Sequence, residues 1–148
     1  MRKIFTACAA LFISLASFAQ PQPADKIIGV WQSTDSDVGL RFEIFKQGDK
    51  YFGKLQWAST MYEADGKTPK ADSKNPDEKL RSRSRQNITN VTNLTYEEGE
   101  YTGGKLYNPD DGDTYSLKAK LKSTDLLEFR GYVGISLLGK TMKLKRIQ

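Results

Sequence analysis

The feature that most constrains this chain is a hydrophobic period of two. From Ile27 onward apolar and polar residues alternate, and no long stretch carries the 3.6-residue stripe of an amphipathic helix. In 38–46, Leu40, Phe42 and Ile44 face one way and Arg41 and Glu43 the other. In 50–58, Tyr51, Leu55 and Trp57 share a face with Gly53. The run 113–122 sets Tyr115, Leu117, Ala119 and Leu121 against Thr114, Ser116, Lys118 and Lys120, the pattern of a strand wet on one side. In the next run Leu127, Phe129 and Val133 form the apolar face, opposite Glu128, Arg130 and Tyr132. Turn signals fall between the runs at Gln47-Gly48-Asp49, 97–100, Pro109 to Gly112 and Lys122 to Asp125. The expected strands lie near 27–33, 38–46, 50–58, 90–97, 100–107, 113–122, 125–133 and 139–147. The fold class is therefore all-β: one antiparallel meander of about eight strands, enough to close into a small barrel with no exposed edges.

One segment breaks the rhythm. Ser59 to Gln86 is polar, carries Pro69 and Pro76, and has no strand pattern. A connection that long in a small domain is either functional or disordered, and it is read here as a lid-like loop. Asn75 to Arg81 suits one helical turn, with Asn75 as cap and Pro76 at the first position. The tandem triplets Asn87-Ile88-Thr89, Asn90-Val91-Thr92 and Asn93-Leu94-Thr95 are read as a polar strand rather than as glycan acceptors.

The first residues have a different character. Arg2 and Lys3 precede an uncharged, largely apolar run from Ile4 to Phe18, and Ser17-Phe18-Ala19 places small residues before a cut ahead of Gln20. This is the layout of a cleaved signal peptide over residues 1–19, with a single domain over 20–148 and a periplasmic or secreted destination. The run is shorter than the ~20 apolar residues that span a bilayer, so no transmembrane segment is expected. Removal of 1–19 lowers the formal charge from +5 to +3 and removes Cys8, the only cysteine. So mild a charge does not point to nucleic acid.

That loss bounds the chemistry. The chain has no histidine and, after residue 19, no cysteine. Ser-His-Asp and Cys-His machinery and ordinary zinc, copper or haem sites are thereby excluded. No catalytic residue, metal ligand or cofactor is assigned, and a non-catalytic protein is expected. Asp110, Asp111 and Asp113 fail the spacing of a calcium loop and read as a hairpin turn with Gly112 left-handed. The alternation Lys79, Arg81, Arg83, Arg85 is the most basic stretch, suited either to an anionic ligand or to a solvated loop face. Arg130 belongs outside if Leu127 and Phe129 face the core, and inside only if the register slips at Gly131.

Three stretches together resemble a known family. They are Asp72-Ser73-Lys74-Asn75-Pro76-Asp77 with Leu80 to Arg83, Gly103 to Gly112 with Thr114-Tyr115, and Arg130 to Thr141. With Ile28-Gly29-Val30-Trp31 they resemble the bacterial domain-of-unknown-function family 2147, whose members are exported. Where that family carries Trp-x-Arg on its last strand, this chain has Leu144 before Arg146. A broader similarity is to the calycins, the lipocalin-like barrels, through Gly29-Val30-Trp31 and Arg146. That resemblance implies a lipocalin-like barrel in which the arginine stacks over the indole and closes one end, a structural role for both residues.

The expected function is binding of a small apolar or amphipathic ligand, lipid-like or anionic, in the barrel mouth of a monomer. Asn75, Arg81, Arg83, Tyr107, Arg130 and Tyr132 are the candidate ligand-binding residues. The alternatives are an envelope module that binds a protein partner through loop 59–87 and the turn 131–139, or a carboxylate-based hydrolase. In that turn Ile135, Leu137 and Leu138 are expected to tuck under the barrel end as a plug.

Overall fold

Alternation over five to eleven residues produces strands where the pattern predicts them. The computed structural model describes residues 23–35, 37–135 and 138–148, and the expected export segment lies outside them. After a 3-10 helix at Pro23–Ile27 come β1 (Gly29–Ser33), β2 (Leu40–Gln47), β3 (Lys50–Ala58), β4 (Thr89–Glu97), β5 (Glu100–Asn108), β6 (Asp113–Ser123), β7 (Leu126–Tyr132) and β8 (Lys140–Arg146). Each pairs antiparallel with the next, and β8 returns to β1 through Trp31↔Arg146 and Ser33↔Leu144, which closes the barrel.

Inward positions make the core. Trp31, Phe42, Ile44, Tyr51, Val91, Leu94, Tyr101, Leu117, Leu127 and Leu144 are fully buried. Gly104 admits one of them: a Cβ there would lie 2.5 Å from the Leu94 side chain. Leu144, standing where the resemblance leads one to expect tryptophan, is a core residue.

Bulges and an early strand end overturn three expectations. Between β2 and β3 the register passes from Arg41↔Trp57 to Phe42↔Leu55, so Gln56 is an extra residue. A one-residue slip exchanges faces. Trp57 therefore leaves the core side, where Arg41 lies 5.9 Å from its ring, and Ala58 is buried instead. β4 skips Asn90 between its Thr89 and Val91 pairings to β3, and it skips again between Val91 and Leu94. Asn87 and Asn93 adopt φ of 64° and 59°, a conformation asparagine tolerates better than most residues. The Asn triplet thus marks irregular backbone with buried Asn90, Val91 and Leu94, not a polar strand. β7 stops at Tyr132, and Val133 is 70% exposed rather than part of the core face.

One barrel end is sealed. The 3-10 helix lies across it with Ile27 fully buried, and the Trp31 indole Nε1–H donates to the Ile27 carbonyl at 2.8 Å. The Arg146 guanidinium sits 4.2 Å from the Trp31 ring centre and donates to the carbonyls of Thr124, Ile28 and Lys26. This is the arrangement the calycin resemblance implied. Tyr51 donates to Asp25 and Tyr101 to the Ala24 carbonyl, each at 2.6 Å. Burial is the main reason both hydroxyls are pushed well above their ordinary range.

Candidate functional site

The other end is open. Four connections converge there: 34–39, 59–88, 109–112 and 133–139. Between them lies a cavity of about 940 Å³, at the upper end of the range for small-molecule sites. Its inner wall is apolar: Leu40, Phe42, Leu55, Leu106, Phe129 and Met142. At this end the inward side chains leave space between them, whereas Trp31, Tyr51 and Tyr101 fill the sealed end.

The rim is charged and braced. Asp35, Asp37, Asp110 and Asp111 stand there with Arg85 and Lys140. Arg85, only 6% exposed, donates Nη1–H to Asp110 Oδ1 at 2.7 Å and Nε–H to the Ala71 carbonyl at 3.0 Å. Thr60 donates to the other Asp110 oxygen, and Lys74 donates to the Asp110 carbonyl. Tyr115 donates to Asp111, and that bond raises its hydroxyl pKa. Asn90, the bulged residue, also lines the cavity. Its Nδ2 donates to the Tyr107 carbonyl at 3.1 Å, while Oδ1 is sealed from water and has no partner. Because that carbonyl only accepts, the amide cannot be turned over to satisfy its oxygen there.

A second polar cluster lies beside the mouth. Asp72 is fully buried, and its carboxylate accepts from Asn75 Nδ2 at 2.8 Å, Arg83 Nε at 3.0 Å and the Tyr107 hydroxyl at 2.6 Å. Burial first, and the bond to Asp72 second, push the Tyr107 hydroxyl up to about 12. Three of the six candidate residues, Asn75, Arg83 and Tyr107, therefore converge on an aspartate that was not among them. Arg81 stands at the edge, its Nε–H donating to the Asn75 carbonyl at 2.8 Å. Tyr107 and Tyr132 line the cavity; Asn75, Arg81, Arg83 and Arg130 do not. Arg130 is on the outside of β7, donating to Thr141 Oγ1 at 2.8 Å.

The long loop is strapped down rather than lid-like. It forms bridges at Tyr62↔Pro69 and Ala71↔Ser84, and Asp72 and Arg85 tie it to β5 and the β5–β6 turn. Only Thr60, Met61 and Arg85 of the loop reach the cavity. Its helical turn is a 3-10 turn at Glu78–Leu80 capped by Asp77, not Asn75. Asn75 Oδ1 instead accepts the Asp77 N–H at 2.9 Å. Gly112 takes φ 81°, the left-handed turn expected, and a Cβ there would collide with the Lys74 carbonyl. The β7–β8 connection does not form the expected plug: Ile135 and Leu138 are 59% and 78% exposed, and Leu137 lies outside the described residues.

Residues 29–146 match the model of a family described as an uncharacterized protein conserved in bacteria, DUF2147. The chain belongs to that family. This DUF2147 protein is also similar to a solved structure, the Helicobacter pylori protein HP1028, described as belonging to the lipocalin family. The two are 30% identical over 82% of each chain, with a TM-score of 0.69. A search of curated proteins finds none that matches. The DUF2147 barrel is thus lipocalin-like, all-β and closed, with one sealed and one open end. No helix among the described residues is long and apolar enough to cross a membrane. Its strands put apolar residues inside and lysines outside, the reverse of a barrel that spans lipid.

Proposed function

We propose that this DUF2147 protein is an exported, non-catalytic binding protein that holds a small amphipathic ligand in the barrel mouth. The open cavity with apolar walls and a polar rim carries this reading. Its depth suits an apolar body against Phe42, Leu106 and Phe129. Four carboxylates against two cations at the rim favour a neutral or cationic head over an anionic one. Residues 1–19 supply the route out of the cytoplasm.

The test is native mass spectrometry of the protein lacking residues 1–19, taken from its own host's envelope without detergent. A reproducible adduct that disappears on denaturation is the expected result. A Leu106→Trp variant, which fills the cavity from its wall, should retain the fold and lose the adduct. A bare mass after incubation with envelope lipid extract would overturn the reading.

A further inference from the structure

The cavity opens beside a surface that the ligand reading leaves unused. Val133, Ile135 and Leu138 project from the β7–β8 connection with 70%, 59% and 78% of their surface exposed. Val133 and Leu138 also form the lip of the cavity. Isolated exposed aliphatics are common, but three on one short connection form a patch.

From this tip toward the sealed end, the outer wall of β6, β7 and β8 becomes basic. The buried residues Leu117, Ala119, Leu127, Phe129 and Leu144 fix which side of β6, β7 and β8 faces in. The alternate positions from Lys118 onward carry Lys118, Lys120, Lys122, Arg130, Lys143 and Lys145 against one carboxylate, Glu128. Register places these cations side by side, with Lys118 opposite Arg130 and Glu128 between Lys120 and Lys143. Two of them are engaged: Lys120 lies 3.7 Å from Glu100 on β5, and Arg130 donates to Thr141. Six cations against one acid exceed the +3 of the whole chain after residue 19, so the positive charge is concentrated on this wall.

We propose that this face docks on an anionic lipid bilayer, with Val133, Ile135 and Leu138 entering the headgroup layer and the lysine strip lying over it. Protein interfaces are depleted in lysine, whereas bilayer surfaces attract it. Neither a short apolar tip nor a basic patch holds a protein to a membrane well alone, but the two together do. Docked this way, Val133 and Leu138 bring their side of the cavity lip to the lipid surface. The docking stands or falls independently of whether the cavity is filled.

The test is co-sedimentation with vesicles of phosphatidylcholine alone and of phosphatidylcholine mixed with phosphatidylglycerol. The protein lacking residues 1–19 is used, because every described element lies in 23–148. Binding should be strong on the mixed vesicles, weak on phosphatidylcholine, and weakened by salt. Ile135→Ser with Leu138→Ser should lower partitioning roughly tenfold or more. Lys143→Glu with Lys145→Glu should cost at least about fivefold per lysine, on the mixed vesicles only. All four positions are exposed, so an unchanged urea midpoint confirms that each variant is folded. The chain after residue 19 has no cysteine, so an environment-sensitive dye on Ile135→Cys reports insertion directly. It should shift to the blue on mixed vesicles, while the same dye on Asp49→Cys, at the sealed end, should not.

No binding to the mixed vesicles overturns the docking. Binding untouched by either substitution pair, or an equal shift at both dye positions, overturns it as well. The adduct measurement uses no vesicles, so either proposal can fail while the other stands.

Discussion

Replacing Asp72 with alanine takes the acceptor away from three donors at once. Asn75 is 5% exposed and its donor does not turn easily to bulk water, whereas half-buried Tyr107 loses less. Each abandoned buried donor costs about 1–3 kcal/mol. The Arg83 side chain is 35% exposed and rehydrates, so its share is about 0–1 kcal/mol. Relief from holding a carboxylate out of water offsets part of this, which leaves a loss of about 3 kcal/mol. Against a total stability of ~5–15 kcal/mol that is a large fraction. Urea unfolding followed by Trp31 and Trp57 fluorescence should show a midpoint lower by roughly 1–3 M at an unchanged slope. Tyr107→Phe and Asn75→Ala should each cost less, and neither should add to Asp72→Ala, since the interaction is already gone. A loss below about 0.5 kcal/mol, the range of surface substitutions, would refute the view that this carboxylate fastens the loop to the barrel.

Two further outcomes test the mouth. Asn90→Leu removes a buried acceptor without a partner, worth about 1–3 kcal/mol, and forfeits one neutral hydrogen bond of about 1 kcal/mol. The thermal midpoint should therefore rise by a few degrees; a fall would mean that the oxygen is satisfied in solution. On the alkaline side, the Tyr107 pKa is raised in the folded state to about 12 from an ordinary 10. Its contribution to stability is full below pH 10 and is lost as pH climbs toward 12. Tyr107→Phe should flatten that part of the alkaline unfolding curve, and an unchanged curve would contradict the assignment.

The strands were legible because a wall with one dry side writes its geometry into alternate residues. All eight lie within a few residues of their expected ends. Bulges carry no such signature: Gln56 and Asn90 look like ordinary strand residues, so the reversal at Trp57 depended on pairing with β2. Alternation also tells which face is inward but not whether the inside is full, which left the cavity to the structure. Asp72 escaped notice because its partners come from afar, Arg83 from 11 residues away and Tyr107 from 35. The aliphatic tip read as a plug because burial and exposure of Ile135 and Leu138 share one sequence pattern. Arg130 was the opposite case, since its neighbours Leu127 and Phe129 already implied its outward position.

The sealed end has a consequence for how the protein is made. Arg146 donates to the Lys26 carbonyl across 120 residues of sequence, and the ring itself closes only when β8 meets β1. Contacts of such separation form late and slow folding. A nascent chain that has emerged only as far as β7 has two unpaired strand edges and an uncovered Trp31, the features that invite aggregation or chaperone capture. Maturation of this barrel is therefore governed by its last strand, and truncations near residue 140 should be cleared by proteases rather than accumulate as partly active protein.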